Sequence, residues 1–383
     1  LAVKINRQMN SIALLGVPTS SASLAAGPER GPAAWRAAGL ADRLQEAGFA
    51  VTDQGDCAER TFTPDDEHPR ARNVGQVVAT LEELRPKVEV AVKSGALPLV
   101  LGGDDSIVLA TIAGCRRYFR HVGLIYFDRD AGLNEPASTP SGCVDGMVIS
   151  HVLGRGAPEM VRFWGEPPLV REPEIALLGI TRVDEPEQRF LSRSLLRRYL
   201  ADDISRKGAA ATAREALERV HGLQSEFVLH IDLDVIAAED FPATNLSEPG
   251  GMRWQEMEEM LAVLAPQPKL AALVISAYNP ARDPEGAAAR RFIDLLAKTL
   301  APRMAPPAEA AEASEAAAAA PAETPTTPSE ESAQSTVAAE ASEAAAAAPA
   351  ETPTTPSEEG AQSTVAADPS EPAEDSQSDT ATN

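Results

Sequence analysis

Three short apolar stretches of this chain run into acidic side chains, and chemistry is expected there. After LPLVLGG come Asp104, Asp105 and Ser106. After LIYF come Asp128, Arg129 and Asp130, with Asn134 shortly beyond, and the stretch FVLHIDLD carries His230, Asp232 and Asp234. Side chains alternate across a strand, so His230, Asp232 and Asp234 are predicted to share one side. A lone strand-end aspartate is an ordinary helix cap or turn residue. Several at one sheet end repel and raise one another's pKa unless a cation holds them. A metal is the simplest account of the pattern, provided the strands are neighbours.

The elements that would position these side chains alternate along the chain. Strands are predicted over residues 11–17, 49–54, 97–101, 122–128, 175–180, 227–234 and 270–276. Helices are predicted over 32–47, 71–94, 107–119, 187–200, 209–222 and 252–264. This alternation specifies an α/β fold: a single three-layer α/β/α domain over residues 1–304, with a mostly parallel sheet covered on both faces. Ligands of such sheets bind at the carboxyl ends of the strands.

Residues 305–383 differ in kind. They carry 16 Asp and Glu and no Lys or Arg, which leaves −7 of the total charge of −23 for residues 1–304. Residues 312–339 recur as 340–367 with one difference, Ser332 against Gly360. A Pro-, Thr-, Ser- and Glu-rich repeat without large apolar residues cannot bury enough surface to offset chain entropy, so a disordered tail is expected. Acidic body and acidic tail argue against nucleic-acid and anionic-lipid partners. No apolar run approaches the roughly 20 residues of a membrane span. The start of the chain has no secretory apolar region, and Cys57, Cys115 and Cys143 are odd in number and widely spaced; a cytoplasmic protein with free thiols is expected.

The body resembles the ureohydrolase superfamily (arginase, agmatinase, formimidoylglutamase) over nearly all of residues 10–300. GVPTS…GPERGPAAWRAAGL resembles its first strand, glycine-rich loop and helix, and LVLGGDDS its GGDHS motif. IYFDRDAGLN resembles DAHxDxN, SGCVDGM the segment ending in His-Gly-Met, HIDLDVIAAEDFPAT the DxDxxDP motif, and LVISAYNP the last strand. The resemblance implies the arginase-like fold, trimers or hexamers, and a dimanganese centre acting on guanidino or formimino groups. Carried over by position, Asp128 and Asp232 would bridge the metals and Asp234 would be a terminal ligand. The departures fall on the same centre. Two histidine ligands have become Asp105 and Asp130, an aspartate ligand Gly132, the proton-shuttling histidine Asp145, the guanidinium-binding glutamate Ala277, and an Asp-Pro pair Ala237-Ala238. Asn134, Ser141, Asp184 and Glu187 match positions that hold the substrate's amino-acid end.

An all-oxygen set of Asp105, Asp128, Asp130, Asp232 and Asp234 suits Mn²⁺, Mg²⁺ or Ca²⁺, though its charge of −5 exceeds what two divalent ions neutralise; if Arg129 and Arg182 both point inward, the site is expected to be stable with no metal. Two functions stay open. One is a ureohydrolase-like protein without guanidino hydrolysis, a binding or regulatory subunit in a homo-oligomer or beside an active paralogue. The other is a divergent metal-dependent hydrolase of a linear amidine or another small-molecule C–N bond, with Asp145 or His230 moving the proton. His230 is otherwise expected to support a ligand by hydrogen bonding, and His151 and His221 to be structural or solvated. Cys143 lacks a base to make it a nucleophile. Arg129 and Arg182 either neutralise the cluster or point to solvent.

Overall fold

The computed structural model describes residues 5–221 and 226–304. The strands are β1 Ser11–Gly16, β2 Ala50–Asp56, β3 Leu97–Leu101, β4 Val122–Phe127, β5 Ile175–Ile180, β6 Arg197–Leu200, β7 Glu226–Asp232 and β8 Leu270–Ser276. They form one sheet in the order β2-β1-β3-β8-β7-β4-β5-β6, parallel at every pairing. The helices are α1 Gly31–Ala37, α2 Leu40–Glu46, α3 Val74–Lys93, α4 Ile107–Arg116, α5 Val148–Val152 and α6 Pro158–Arg162. They continue as α7 Glu185–Leu191, α8 Ala201–Lys207, α9 Ala209–His221, α10 Trp254–Leu264 and α11 Ala287–Leu300.

The central strands are almost wholly apolar because both faces are covered, with His230, Asp232 and Ser276 the polar residues towards the ends of β7 and β8. Leu97, Leu99 and Leu101 face a core with Trp35, Leu44, Met257 and Phe292. Val100 faces the opposite core, with Val88, Ile107 and Ile112. β4 divides likewise, Ile125 and Phe127 into the first core and Leu124 and Tyr126 into the second. Each large side chain taken fully from water contributes about 1.5–3 kcal/mol, so these two layers hold the sheet in place. The expected three-layer α/β/α domain is the fold observed, and its sheet is parallel throughout. Among the described residues no helix is long and apolar enough to cross a membrane. The disorder expected of residues 305–383, including the 312–339 and 340–367 repeats, lies outside the described residues.

Some boundaries differ from the sequence reading. The helix expected over 32–47 is two, broken where Gly39 takes φ 87°, a conformation that favours glycine. The helix expected over 187–200 stops at Leu191. Beyond it Glu172 Oε2 accepts from the Ser194 hydroxyl at 3.0 Å and the Leu195 amide at 2.7 Å, which takes those groups out of helical bonding. The chain then joins the sheet edge as β6 with Tyr199 turned inward. Helices α6, α8 and α11 were not anticipated.

His151, on α5, is a core side chain. Burial holds its imidazole down at about 4, against a smaller opposing hydrogen bond to the Met147 backbone, while its Nε2 accepts from the Ala157 amide at 3.2 Å. The unfolded chain therefore binds a proton that the folded chain refuses. The stabilisation is full above an ordinary imidazole pKa of 6.5 and is lost as pH falls towards 4. About 3 kcal/mol is at stake. Melting temperature followed from pH 7 to pH 4 is expected to fall more steeply in the native chain than in His151→Gln, which keeps an acceptor but no titrating ring.

Candidate metal centre

The acidic residues meet at the carboxyl ends of four adjacent strands, β3, β8, β7 and β4. The turn after β3 puts two neighbouring aspartates to different uses. Asp104 faces the β1 loop: it accepts from the Thr19 hydroxyl at 3.2 Å, the Ala22 amide at 3.0 Å and the Ser106 hydroxyl at 2.5 Å. It pins loop to helix and has no free oxygen for a ligand. Gly103 lets this happen, since a Cβ there would stand 1.6 Å from the Thr19 carbonyl oxygen. Asp105 turns the other way, over β8 and β7. Its Oδ1 accepts from the Ser276 hydroxyl at 2.5 Å and lies 3.3 Å from His230 Nε2.

Asp128 and Asp232 leave β4 and β7 in the same way. Asp128 Oδ1 accepts the Asp130 amide and Asp232 Oδ1 the Asp234 amide, each at 2.7 Å. Each closes its own turn with one oxygen and contributes to the cluster beside it. Oxygens of Asp105, Asp128 and Asp232 lie within 4.8 Å of one another, all three residues buried. Burial, then the Asp105 and Asp234 charges, push both Asp128 and Asp232 well above the carboxylate range. Burial also acts to raise Asp105, but hydrogen bonding and charge from His230, with hydrogen bonds involving Asp232 and Ser276, hold it below the ordinary value. Asp234 is pushed to about 7 by burial and by Asp105 and Asp130, with Arg182 and Arg129 resisting. Its Oδ1 is buried with no hydrogen-bond partner.

These observations test whether a cation fits. The donors are carboxylate oxygens only, the preference of Mg²⁺, Ca²⁺ and Mn²⁺. Oxygens about 2.3–2.6 Å from one ion stand no more than about 5 Å apart, which matches the spacing of the trio. The buried Asp234 Oδ1, without a hydrogen-bond partner, is a further acceptor for such an ion. The residues fit a hard divalent ion.

Asp130, expected among the ligands, instead gives both oxygens to Arg182, at 2.8 and 2.7 Å. Arg182 also reaches Glu248 at 3.3 Å. Arg129 is neither exposed nor aimed into the cluster: it is buried and donates to the carbonyls of Glu248 and Pro249 at 2.9 and 3.0 Å. Asp145 adjoins the cluster, where Oδ1 accepts the Asp105 amide at 2.9 Å and Oδ2 the Ser23 hydroxyl at 3.4 Å. His230 is fully buried and stacks on Tyr126 at 4.4 Å between centroids. With Nε2 on Ser276 at 2.9 Å, it backs Asp105 and does not face a ligand. Gly132 and Ala277 offer no donor, and Ala277 holds a left-handed φ of 63°.

Of the expected substrate-side residues, three come together. Asn134 donates to Asp184 at 2.9 Å, and Glu187 accepts the Leu133 and Asp184 amides at 2.9 and 2.8 Å. Both Glu187 oxygens are thereby used to clip the loop. Ser141 is engaged apart from them, accepting the Cys143 amide at 3.1 Å. Cys143 is buried with its thiol 3.0 Å from the Ala22 carbonyl, and burial pushes its pKa up, which disfavours a thiolate. Cys57 and Cys115 are free and buried too. Sequence reasoning missed Ser276, which joins Asp105 to His230. Its signal was a hydroxyl closing an otherwise apolar strand.

Residues 10–301 match the model of a family described as "Arginase family". An arginase of Bacillus caldovelox is 30% identical over 283 residues, 72% of this chain and 93% of that protein. The crystal structure of an arginase from Bacillus cereus superimposes with a TM-score of 0.71 at 28% identity, over 76% of this chain and 98% of that one. The formimidoylglutamase from Bacillus subtilis shares the fold, with a TM-score of 0.61 at 20% identity over 79% of this chain and 89% of its own.

Proposed function

Because the chain belongs to the arginase family, we propose that it keeps a cation centre of that family in all-carboxylate form and has given up guanidino hydrolysis. In this reading it serves as a binding or regulatory subunit, in a homo-oligomer or beside an active relative. One observation carries the proposal: among the described residues no imidazole faces the Asp105, Asp128 and Asp232 trio. His230 is buried behind Asp105 with Nε2 already engaged. Asp145 has both oxygens on donors of the surrounding loops. At the end of β8, Ala277 has no carboxylate to meet a guanidinium, so a charged substrate head would lose a partner worth several kcal/mol, on the order of 3–5.

A divalent cation held here would supply positive charge to polarise a bound polar group. The chain's own residues do the rest. Asp105, Asp128 and Asp232 bind, the Asp130 and Asp234 amides orient two of them, and Ser276 fixes the third. Residues that orient ligands this way are worth 10–100-fold in metal affinity. Ser276→Ala is therefore expected to weaken Mn²⁺ binding by about that factor with little change in fold, as a calorimetric titration would read.

The test of the function is a screen of the cation-loaded chain against guanidino, amidino and formimino compounds, followed by urea and ammonia release. No turnover is expected. A second reading, a divergent hydrolase of a linear amidine, is favoured by Asp145, a part-exposed carboxyl beside Asp105. Turnover of any compound in the screen that vanishes in Asp145→Asn would establish it in place of the first.

A further inference from the structure

The cluster contains a positive charge of its own, and this bears on how many ions it takes. Arg182 and Asp130 are joined twice over. Their backbones pair as a parallel bridge, with the Thr181 and Arg182 amides both donating to the Arg129 carbonyl, at 2.8 and 3.0 Å. Their side chains pair as a fork, Nε on Oδ1 and Nη2 on Oδ2. A guanidinium is always charged, and its planar fork matches a carboxylate with both oxygens. Asp130 thus has no oxygen facing the cluster unclaimed. Arg182 has its further partner in Glu248, at 3.3 Å. The close trio is Asp105, Asp128 and Asp232; neither Asp130 nor Asp234 belongs to it.

We propose that the Arg182 guanidinium, by holding both oxygens of Asp130, closes that part of the centre, so that the chain holds one divalent cation, on Asp105, Asp128 and Asp232, where the family resemblance implies two. The inference rests on reading the cluster as a cation site, and goes further in fixing the stoichiometry and naming the residue that sets it. Arg182 acts here as an internal counter-ion. Its removal would free the Asp130 carboxylate to hold, with Asp234, a second ion. Arg129 cannot substitute, since its fork is committed to the carbonyls of Glu248 and Pro249.

The experiment uses the full chain, stripped with a chelator, dialysed against excess Mn²⁺ and analysed for bound manganese per chain. An Asp128→Asn/Asp232→Asn sample gives the ions held elsewhere, such as on the acidic tail, to be subtracted. Electron paramagnetic resonance supplies a second readout, because an isolated Mn²⁺ gives a six-line pattern and a coupled pair a broadened one. Expected are one ion and the six-line pattern in the native chain, and two ions with the broadened pattern in Arg182→Met. Two ions in the native chain would overturn the inference and leave the cation site standing. None would overturn both, and one ion in both proteins would remove Arg182 from its assigned role. Should Arg182→Met fail to fold, Asp130→Asn decides the matter: it must keep the single ion, and its loss would contradict the proposal.

Discussion

Replacing Asp232 by asparagine is expected to raise the melting temperature of the cation-free chain and to abolish the further rise that Mn²⁺ gives the native one. The two effects have opposite signs and one cause. Asp232 is buried among Asp105, Asp128 and Asp234, and burial followed by their charges raises its pKa far above the ordinary range. Without a cation, the native chain must either hold a proton there or tolerate uncompensated charge. Asparagine keeps the oxygen that accepts the Asp234 amide and removes the charge. Relief of a buried, unpaired charge is worth on the order of 1–4 kcal/mol, a few degrees for a domain of this size. With a cation the balance reverses. A ligand at 100 times its Kd stabilises the native chain by about 2.7 kcal/mol, and the variant lacks the ligand that would gain it. Thermal unfolding of both proteins, with chelator and with Mn²⁺, reads all four values. An Asp232→Asn chain that is less stable in chelator, or that still responds to Mn²⁺, would contradict this account.

The second large effect is expected at Gly103. An alanine Cβ would sit 1.6 Å from the Thr19 oxygen, 2.6 Å from its carbon and 2.8 Å from its nitrogen. All three are backbone atoms, and no flexible side-chain tip is available to yield. That backbone is itself tied down: the Val17 amide donates to Leu101 at 2.8 Å, Gly103 to Val17 at 3.2 Å and Asp104 to Thr19 at 3.0 Å. Separating the two segments would break this ladder and shift Asp104 and Asp105 together. Gly103→Ala is expected to cost about 3–5 kcal/mol, at the severe end of overpacking, and to remove cation binding in whatever fraction still folds. Gly75→Ala is the control. It lies in α3 with nothing within 4 Å of the added atom, and alanine there is neutral or stabilising by up to about 1 kcal/mol. Similar melting temperatures for the two variants would refute the packing argument.

The sheet and the strand-end acidic residues were legible in the sequence for one reason. Strands buried on both faces read as unbroken apolar runs, and β3, β5 and β8 were located to the residue. The acidic residues stand where such runs end, so those after β3, β4 and β7 could be found without knowing the strand order, and the family resemblance singled out Asp105, Asp128, Asp130, Asp232 and Asp234 among them. What could not be read is which way each side chain turns after the strand. Asp104 and Asp105 are adjacent and alike, yet one pins a loop and the other joins the cluster, a difference set by the close passage of Thr19. Asp130 reads as a ligand by position, and only the β5 neighbour carrying Arg182 reveals that its oxygens are taken. β6 was hidden because 187–200 holds apolar residues at helical spacing, and the competing bonds to Glu172 come from a distant turn. Helix α11 carries a legible pattern, with Phe292, Ile293, Leu296 and Leu300 on one face.

The most direct test of a carboxylate cation centre is a calorimetric titration of Mn²⁺ into the chelator-stripped full chain, beside the Asp105→Asn/Asp128→Asn/Asp232→Asn chain. Saturable heat in the native protein, absent from the triple variant apart from the weak background both share, is the expected result. Identical titrations of the two folded proteins would mean that these aspartates hold no ion, and would contradict the centre described here.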